Sequence, residues 1–300
     1  MRASAKDARQ ELLRLVDKIN VWKRNGERAP HKPLLFLRAL ALHCDNPEAA
    51  VAFRQIEDEL SSLIRNYGPP RRSVHPEYPF WRLQHDGLWE VNVQKPLVTR
   101  MGNDDPLRTS LREANARGYL PKWVTTLLLE DSSLVKELAV RVLDAHFPTE
   151  LHAELLRETG LARFLPIESR GHAAPREYWR SALDIYNHRC MISGLGARCA
   201  DKTYGISPTL IRWPQAGGVF ALGNTLVLSN FYRDLFVPGL ITITPDMRLV
   251  LSDRAAVTAD TAQFMKPHFA ESVKVPSGVV ASELVENLRW HNRQVFRGCA

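Results

Sequence analysis

Residues 67–83, YGPPRRSVHPEYPFWRL, constrain this chain more than any other stretch, because Pro69, Pro70, Pro76 and Pro79 fall close together there. Each proline fixes φ and removes a backbone donor, so the spacing predicts a stiff, irregular loop that interrupts the helices on either side. The same stretch holds Arg71, Arg72, Arg82 and His75 together with the rings of Tyr67, Tyr78, Phe80 and Trp81. Guanidinium forks suit phosphate oxygens, rings pack on sugars or bases, and a stiff loop loses little entropy on binding. A second basic cluster, from Lys23 and Arg24 through His31, Lys32 and Pro33, runs straight into an apolar helix. A solvated surface loop explains one basic run equally well; two such clusters favour a polyanionic partner.

The chain has 300 residues, long enough for two domains with separate cores. Its formal net charge of +7 agrees with a polyanionic partner, although the excess is modest and the local clusters say more. Cys44, Cys190, Cys199 and Cys299 stand at irregular spacings that form neither a disulfide framework nor a paired CxxC zinc site. The start, MRASAKDARQELLRLV, reads as an amphipathic helix rather than a signal peptide. No run approaches the roughly 18 apolar residues of a membrane span. The expected location is cytoplasmic, with no membrane partner.

Leu12, Leu13, Leu15, Val16 and Ile19 recur at helical spacing, and Pro33 opens a more apolar helix over 34–42. Phe53, Ile56, Leu60, Leu63 and Ile64 give a third helix its buried face. Past the loop, 81–83 and 88–93 flank the turn signal His85-Asp86-Gly87 and predict a hairpin. Helices follow near 106–116, 121–129 and 132–146. The fold class is α+β. A helical, winged-helix-like domain with a small sheet is expected over 1–148, a Pro-, Gly- and Ser-marked linker over 149–174, and a second domain over 175–300. That domain reads as a helix over 176–189, a turn over 191–196, an irregular stretch, a segment at 224–236, strands over 240–244 and 248–252, and a closing helix over 282–297.

With HKPLLFLRAL at 31–40 and YGPPRRSVHPEYPFWRL at 67–83, the first half resembles the DNA sulfur-binding domain of McrA-like, phosphorothioate-dependent restriction endonucleases. Two separated motifs in the appropriate order and spacing carry the resemblance. It implies recognition of double-stranded DNA in which sulfur replaces a non-bridging phosphate oxygen, with Tyr78 and Pro79 matching the family's sulfur pocket. Sulfur is larger, softer and more weakly hydrated than oxygen, so an apolar dimple accepts it at a smaller desolvation cost. Arg24, Lys32, Arg71, Arg72 and His75, with Ser73 among them, would bind flanking phosphates, while His31 and Asn25 reach base edges or sugars. The loop 100–112, which holds Asn103, Arg108, Thr109 and Ser110, would close the other side of the pocket. Several of these residues also have a purely structural reading. Pro33 can be a helix-opening residue, His31 a capping residue, Phe80 and Trp81 core anchors, and Arg82 a solvated strand residue. That reading is favoured for Phe80 and Trp81, and the functional one for Arg71, His75, Tyr78 and Pro79.

The second half is similar to the HNH nuclease domain of the same family, through YNHRCMISG at 186–194, GNTLVLS at 223–229 and LFVPGLITIT at 235–244. The resemblance implies an HNH-like ββα domain, but the decisive positions differ. In LIRWPQAGG at 210–218, Leu210 stands where the family has its general-base histidine. Asn224 keeps the central asparagine, Arg233 replaces the metal-binding histidine, and Phe236-Val237 replaces Phe-Asp. Leucine accepts no proton and arginine ligates no cation. Asp234, Asp201, His188 and Cys199 lack the spacing to substitute. Arg212 and Arg233 could instead neutralise a phosphate, turning a cutting site into a gripping one.

The resulting expectation is a reader of phosphorothioated DNA in a restriction or defence setting, with no cofactor and no metal, and with a possible homodimer. One alternative is an active HNH restriction endonuclease with a rearranged site dependent on Mg²⁺ or Mn²⁺. Another is a binder of other modified or ordinary DNA, as winged-helix-like domains often are.

Overall fold

The computed structural model describes residues 5–24, 27–48, 50–165 and 175–298. The chain divides into two units, one from residues 1–24 and 28–170, the other from 25–27 and 171–300.

In the first unit, α1 (Ala5–Asp17) turns Leu12 and Val16 to a buried face, as the helical spacing requires. A short ribbon, β1 (Trp22–Arg24) with β2 (Glu27–Ala29), leads into α2 (His31–Asp45). Leu34, Leu35, Phe36, Leu37 and Leu40 are all fully buried, so α2 is apolar nearly all round and sits at the centre. The unit continues through β3 (Val51–Ala52), α3 (Phe53–Tyr67), α4 (Glu77–Arg82), β4 (Glu90–Asn92), α5 (Arg108–Glu113) and β5 (Arg117–Tyr119). It closes with α6 (Lys122–Glu130), α7 (Ser133–His146) and α8 (Thr149–Glu158). Helices α3, α4 and α7 pack around α2.

The small sheet is antiparallel with order β3-β5-β4, and Val51 and Val91 both lie opposite Gly118 on its central strand. Glycine is required there, since a Cβ would stand 2.1 Å from Cζ2 of Trp89.

The expected hairpin between 81–83 and 88–93 does not form. Residues 77–82 are helical and continue into a 3-10 turn over Leu83–Asp86, which Gly87 ends at a φ of 75°. β4 pairs with the distant β5 instead. The prolines tolerate this helix: Pro76 is its N-cap and Pro79 its third residue, and neither position needs an intrahelical N–H. Phe80 anchors α4 in the core, edge-on to Phe53 (5.0 Å between centroids) and to Trp89 (5.8 Å). Trp81 is only half-buried. Residues 149–165, expected as part of a linker, fold into the first unit, where Leu151, Leu155 and Leu161 are buried. The Tyr67 hydroxyl on α3 also donates to Glu154 Oε1 on α8 at 2.8 Å.

The second unit opens with α9 (Arg176–Ile185), shorter than its expected span. An exposed ribbon of β6 (Ala197–Cys199) and β7 (Lys202–Tyr204) occupies part of the stretch expected to be irregular. β8 (Ile206–Leu210) and β9 (Thr225–Ser229) pair antiparallel from Ile206 opposite Ser229 to Leu210 opposite Thr225. α10 (Asn230–Phe236) follows β9 without a break, because Ser229 caps it by accepting from the Tyr232 N–H at 3.4 Å. The strands expected over 240–244 and 248–252 form as β10 (Ile241–Ile243) and β11 (Leu249–Leu251). α11 (Ala259–Ala270) arises where no helix was expected, and α12 (Ala281–Gln294) closes the described chain. Leu226, Leu228, Tyr232, Phe236, Leu284 and Leu288 belong to the core of this unit.

Candidate nucleic-acid interface

Burial of Phe80 fixes the orientation of α4 and leaves Tyr78, two residues earlier, half exposed on its outer side. Three nitrogen-bearing groups surround the Tyr78 ring. The Arg82 guanidinium lies 4.6 Å from the ring centroid and that of Arg100 lies 5.1 Å away. His75 stacks on the ring at 5.1 Å, with the planes 29° apart. Each cation over a ring is favourable by about 0.5–2 kcal/mol, depending on its desolvation.

Two buried acids hold this arrangement. Arg82 donates from Nε to Asp105 Oδ1 at 2.8 Å and from Nη2 to Oδ2, a bidentate pair whose acid is 7% exposed. That pairing raises the already high pKa of the Arg82 guanidinium. Arg100 donates from Nη2 to Glu77 Oε1 at 2.9 Å, and His75 Nδ1 meets the same oxygen at 2.9 Å. The Glu77 side chain is 1% exposed, and its Oε2 is buried without a hydrogen-bond partner among the described residues. Arg100 and Asp105 sit on one loop, closed by hydrogen bonds from Arg100 N to Asp105 O (2.8 Å) and from Leu107 N to Val98 O (2.9 Å).

The other residues singled out in the sequence divide between this site and elsewhere. Arg71 and Arg72 are exposed, the Arg71 guanidinium standing 5.9 Å from the Trp22 ring centroid. Ser73 Oγ lies 2.9 Å from His75 Nε2, so both imidazole nitrogens are engaged. Pro79 is buried within α4, so Tyr78 is the solvent-facing member of the expected pocket pair. His31 starts α2 against Gly68, where a Cβ would come within 3.0 Å of its Nε2. Burial first, then Arg71 and His75, push the His31 imidazole down to about 4, so near pH 7 it offers hydrogen bonds rather than charge. Lys32 differs from its expected part: its Nζ donates to Asp86 at 2.5 Å, and both side chains are largely buried. Arg108 is likewise engaged, joining Arg112 on the buried Glu57 at 3.3 Å. The backbone of Arg24 ends β1, while its side chain and all of Asn25 lie outside the described residues.

Sequence reasoning expected the loop 100–112 beside the pocket but did not assign Arg100 or Asp105 a role there, read Arg82 as a solvated strand residue, and passed over Glu77. Arg82 follows Tyr78 by four residues, the spacing that brings side chains together on a helix, so a helix at 77–82 would have revealed it. Arg100 and Asp105 reach the site by a tertiary contact that leaves no local pattern.

In the second unit, Leu210 is 6% exposed at the end of β8. Asn224 is 2% exposed and its amide is fully occupied. Its Oδ1 accepts from Arg212 N at 2.8 Å, and its Nδ2 donates to Arg212 O and Val219 O, each at 2.9 Å. Arg233 donates to Asp234 Oδ1 at 3.0 Å and to Ser207 Oγ at 3.1 Å. His188 is held between Asp184 (3.1 Å) and Thr203 (2.8 Å), while Cys199 and Asp201 are exposed. Among the described residues no group of three or more His, Cys, Asp or Glu side chains could hold a metal ion.

A family model described as the ScoMcrA-like DNA sulfur-binding domain matches residues 9–164, more than half of the chain. The chain belongs to that family. The match spans every first-unit residue placed at the candidate interface above. Among solved structures, the chain is similar to the sulfur-binding domain of ScoMcrA complexed with phosphorothioated DNA. The two are 23% identical with a TM-score of 0.45, covering 50% of this chain and 95% of that one. It is also similar to the sulfur-binding domain of SprMcrA complexed with phosphorothioated DNA (22% identity, TM-score 0.42, 54% and 99% covered). The type IV phosphorothioation-dependent restriction endonuclease ScoMcrA is 24% identical with a TM-score of 0.44; the match covers 51% of this chain and 32% of the endonuclease. No curated protein matches the chain. Among the described residues, no helix is long and apolar enough to cross a membrane.

Proposed function

We propose that the sulfur-binding domain of this chain binds double-stranded DNA carrying a phosphorothioate, with the Tyr78 ring as the sulfur-accepting surface and the adjacent, buried Pro79 fixing its place on α4. The observation that carries the reading is the half-exposed Tyr78 ring, walled by His75, Arg82 and Arg100, in a domain of this family. A phosphorothioate presents a soft, weakly hydrated atom together with a negative charge. An aromatic ring edged by guanidinium groups offers an apolar contact and a complementary field at the same place. Exposed Arg71 and Arg72 supply contacts to flanking phosphates, which position the duplex and provide much of the affinity.

The second unit is, on this reading, an HNH-like domain without hydrolytic chemistry, and the protein acts as a reader in a restriction or defence setting. What supports this is the strand, strand, helix order of β8, β9 and α10 with Leu210, Asn224 and Arg233 at the decisive positions. Leu210 has no proton-accepting atom, the Asn224 amide is spent on Arg212 and Val219, and Arg233 is engaged with Asp234 and Ser207.

Tyr78→Ala tests the first part. Preference for a modified over an unmodified duplex should vanish, while affinity for the unmodified duplex stays within about threefold, or 0.7 kcal/mol. Equal losses on both would remove Tyr78 from sulfur recognition. Incubating the modified duplex with Mg²⁺ or Mn²⁺ tests the second part: intact DNA is expected, and specific cleavage would establish the active-nuclease alternative.

A further inference from the structure

Helix α4 and the loop 98–107 are joined by two salt bridges of opposite polarity. The helix supplies the cation Arg82 to Asp105 of the loop, and the loop supplies the cation Arg100 to Glu77 of the helix. Both acids are almost fully buried, whereas Arg82 and Arg100 are 40% and 33% exposed. The guanidinium groups held in this way are the same two that lie against the Tyr78 ring. An arginine paired with a buried carboxylate, bidentately for Arg82 and through Nη2 for Arg100, is restrained in position, so it makes a poor partner for an ordinary DNA phosphate.

Resting on the reading proposed above, we propose that Asp105 and Glu77 are positioning residues for sulfur discrimination. They hold Arg82 and Arg100 as fixed walls of the Tyr78 site and keep both cations away from ordinary phosphate contacts. Affinity and discrimination are thereby assigned to different arginines. The clamped pair shapes the place where the non-bridging atom is sensed, and sequence-independent attraction to the duplex comes from other basic side chains. Release of either clamped cation converts a selective wall into a general phosphate contact.

The test is a binding titration of the full chain over a series of salt concentrations, using duplexes that differ by one phosphorothioate. The variants are Asp105→Asn and Glu77→Gln, which keep side-chain shape and remove the negative charge. In each, preference for the modified duplex should fall threefold or more, and ordinary duplex should bind as tightly as before or tighter. The salt slope should steepen by about one, as one freed cation displaces one further counterion. A purely structural role would lower both affinities together and leave the slope alone; that result overturns the proposal, as does an unchanged preference. Arg82→Gln keeps the question decidable if the acid variants do not fold. It should reduce preference and leave the slope unchanged, whereas a slope shallower by about one would show that Arg82 itself binds phosphate and would overturn the proposal. If the unaltered protein shows no preference, the parent reading has failed instead.

Discussion

At the scale of single residues, several cations of the candidate interface are met by acids of the same domain. Lys32, Arg82, Arg100 and Arg108 each pair with a buried or mostly buried acid. Arg71 is exposed, so Arg71→Ala should weaken binding to modified and unmodified duplexes alike and make the salt slope shallower by about one. An unchanged slope would show that Arg71 does not touch phosphate. His31 behaves differently because its imidazole is held down to about 4 and is neutral near pH 7. His31→Gln should therefore leave the salt slope unchanged, and any affinity it costs should be the same at low and high salt. A slope that fell by one would mean the histidine binds as a cation.

At the scale of elements, composition predicted better than geometry where the prolines fall. Residues 67–83 read as a loop because prolines usually end helices, yet Pro76 and Pro79 occupy the N-cap and the first turn of α4, where backbone donors have no intrahelical partner anyway. The chemistry of that stretch was legible in the sequence; its helical shape and the arginine at the following turn were not. The helices around α2 were legible from apolar spacing, and so was the pairing of β10 with β11 across a short turn. The pairing of β4 with β5 was not, because no local signal reports a partner so far along the chain. Gly118 shows the packing consequence. Gly118→Ala would drive a methyl into Trp89 and should destabilise the first unit by about 1–3 kcal/mol, read as a lower denaturant midpoint. A midpoint equal to the parent's would mean that Trp89 yields freely. In the second unit, Asn224 fastens residues 212 and 219 across a tight turn, so Asn224→Ala should cost about 2–3 kcal/mol by leaving buried backbone groups unpaired. Loss of less than about 0.5 kcal/mol would show that water replaces the amide.

At the scale of the whole molecule, buried histidines couple stability to acid. Burial is the leading cause that holds His31 at about 4 and both His146 and His291 at about 3 in the folded chain, against an ordinary value of 6.5. Between those values the unfolded chain binds more protons than the folded one. Stability is therefore complete above pH 6.5 and declines as pH falls toward 4 and then 3, by about 1.4 kcal/mol per pH unit for each histidine inside its window. The denaturant midpoint should be lower at pH 5 than at pH 7. Equal midpoints would contradict the burial of these rings. The division of the chain into two units also divides the proposal: the proposed sulfur recognition concerns the family domain over 9–164, and the proposed loss of hydrolysis concerns the second unit. The most direct measurement concerns the first of these. It is an equilibrium titration, at one fixed salt concentration, of the unaltered protein against two duplexes identical except for a single phosphorothioate linkage. A preference of at least tenfold for the modified duplex, about 1.4 kcal/mol, is expected from the Tyr78 site. Equal affinity for both duplexes in several sequence contexts would contradict sulfur recognition and leave a general DNA-binding surface.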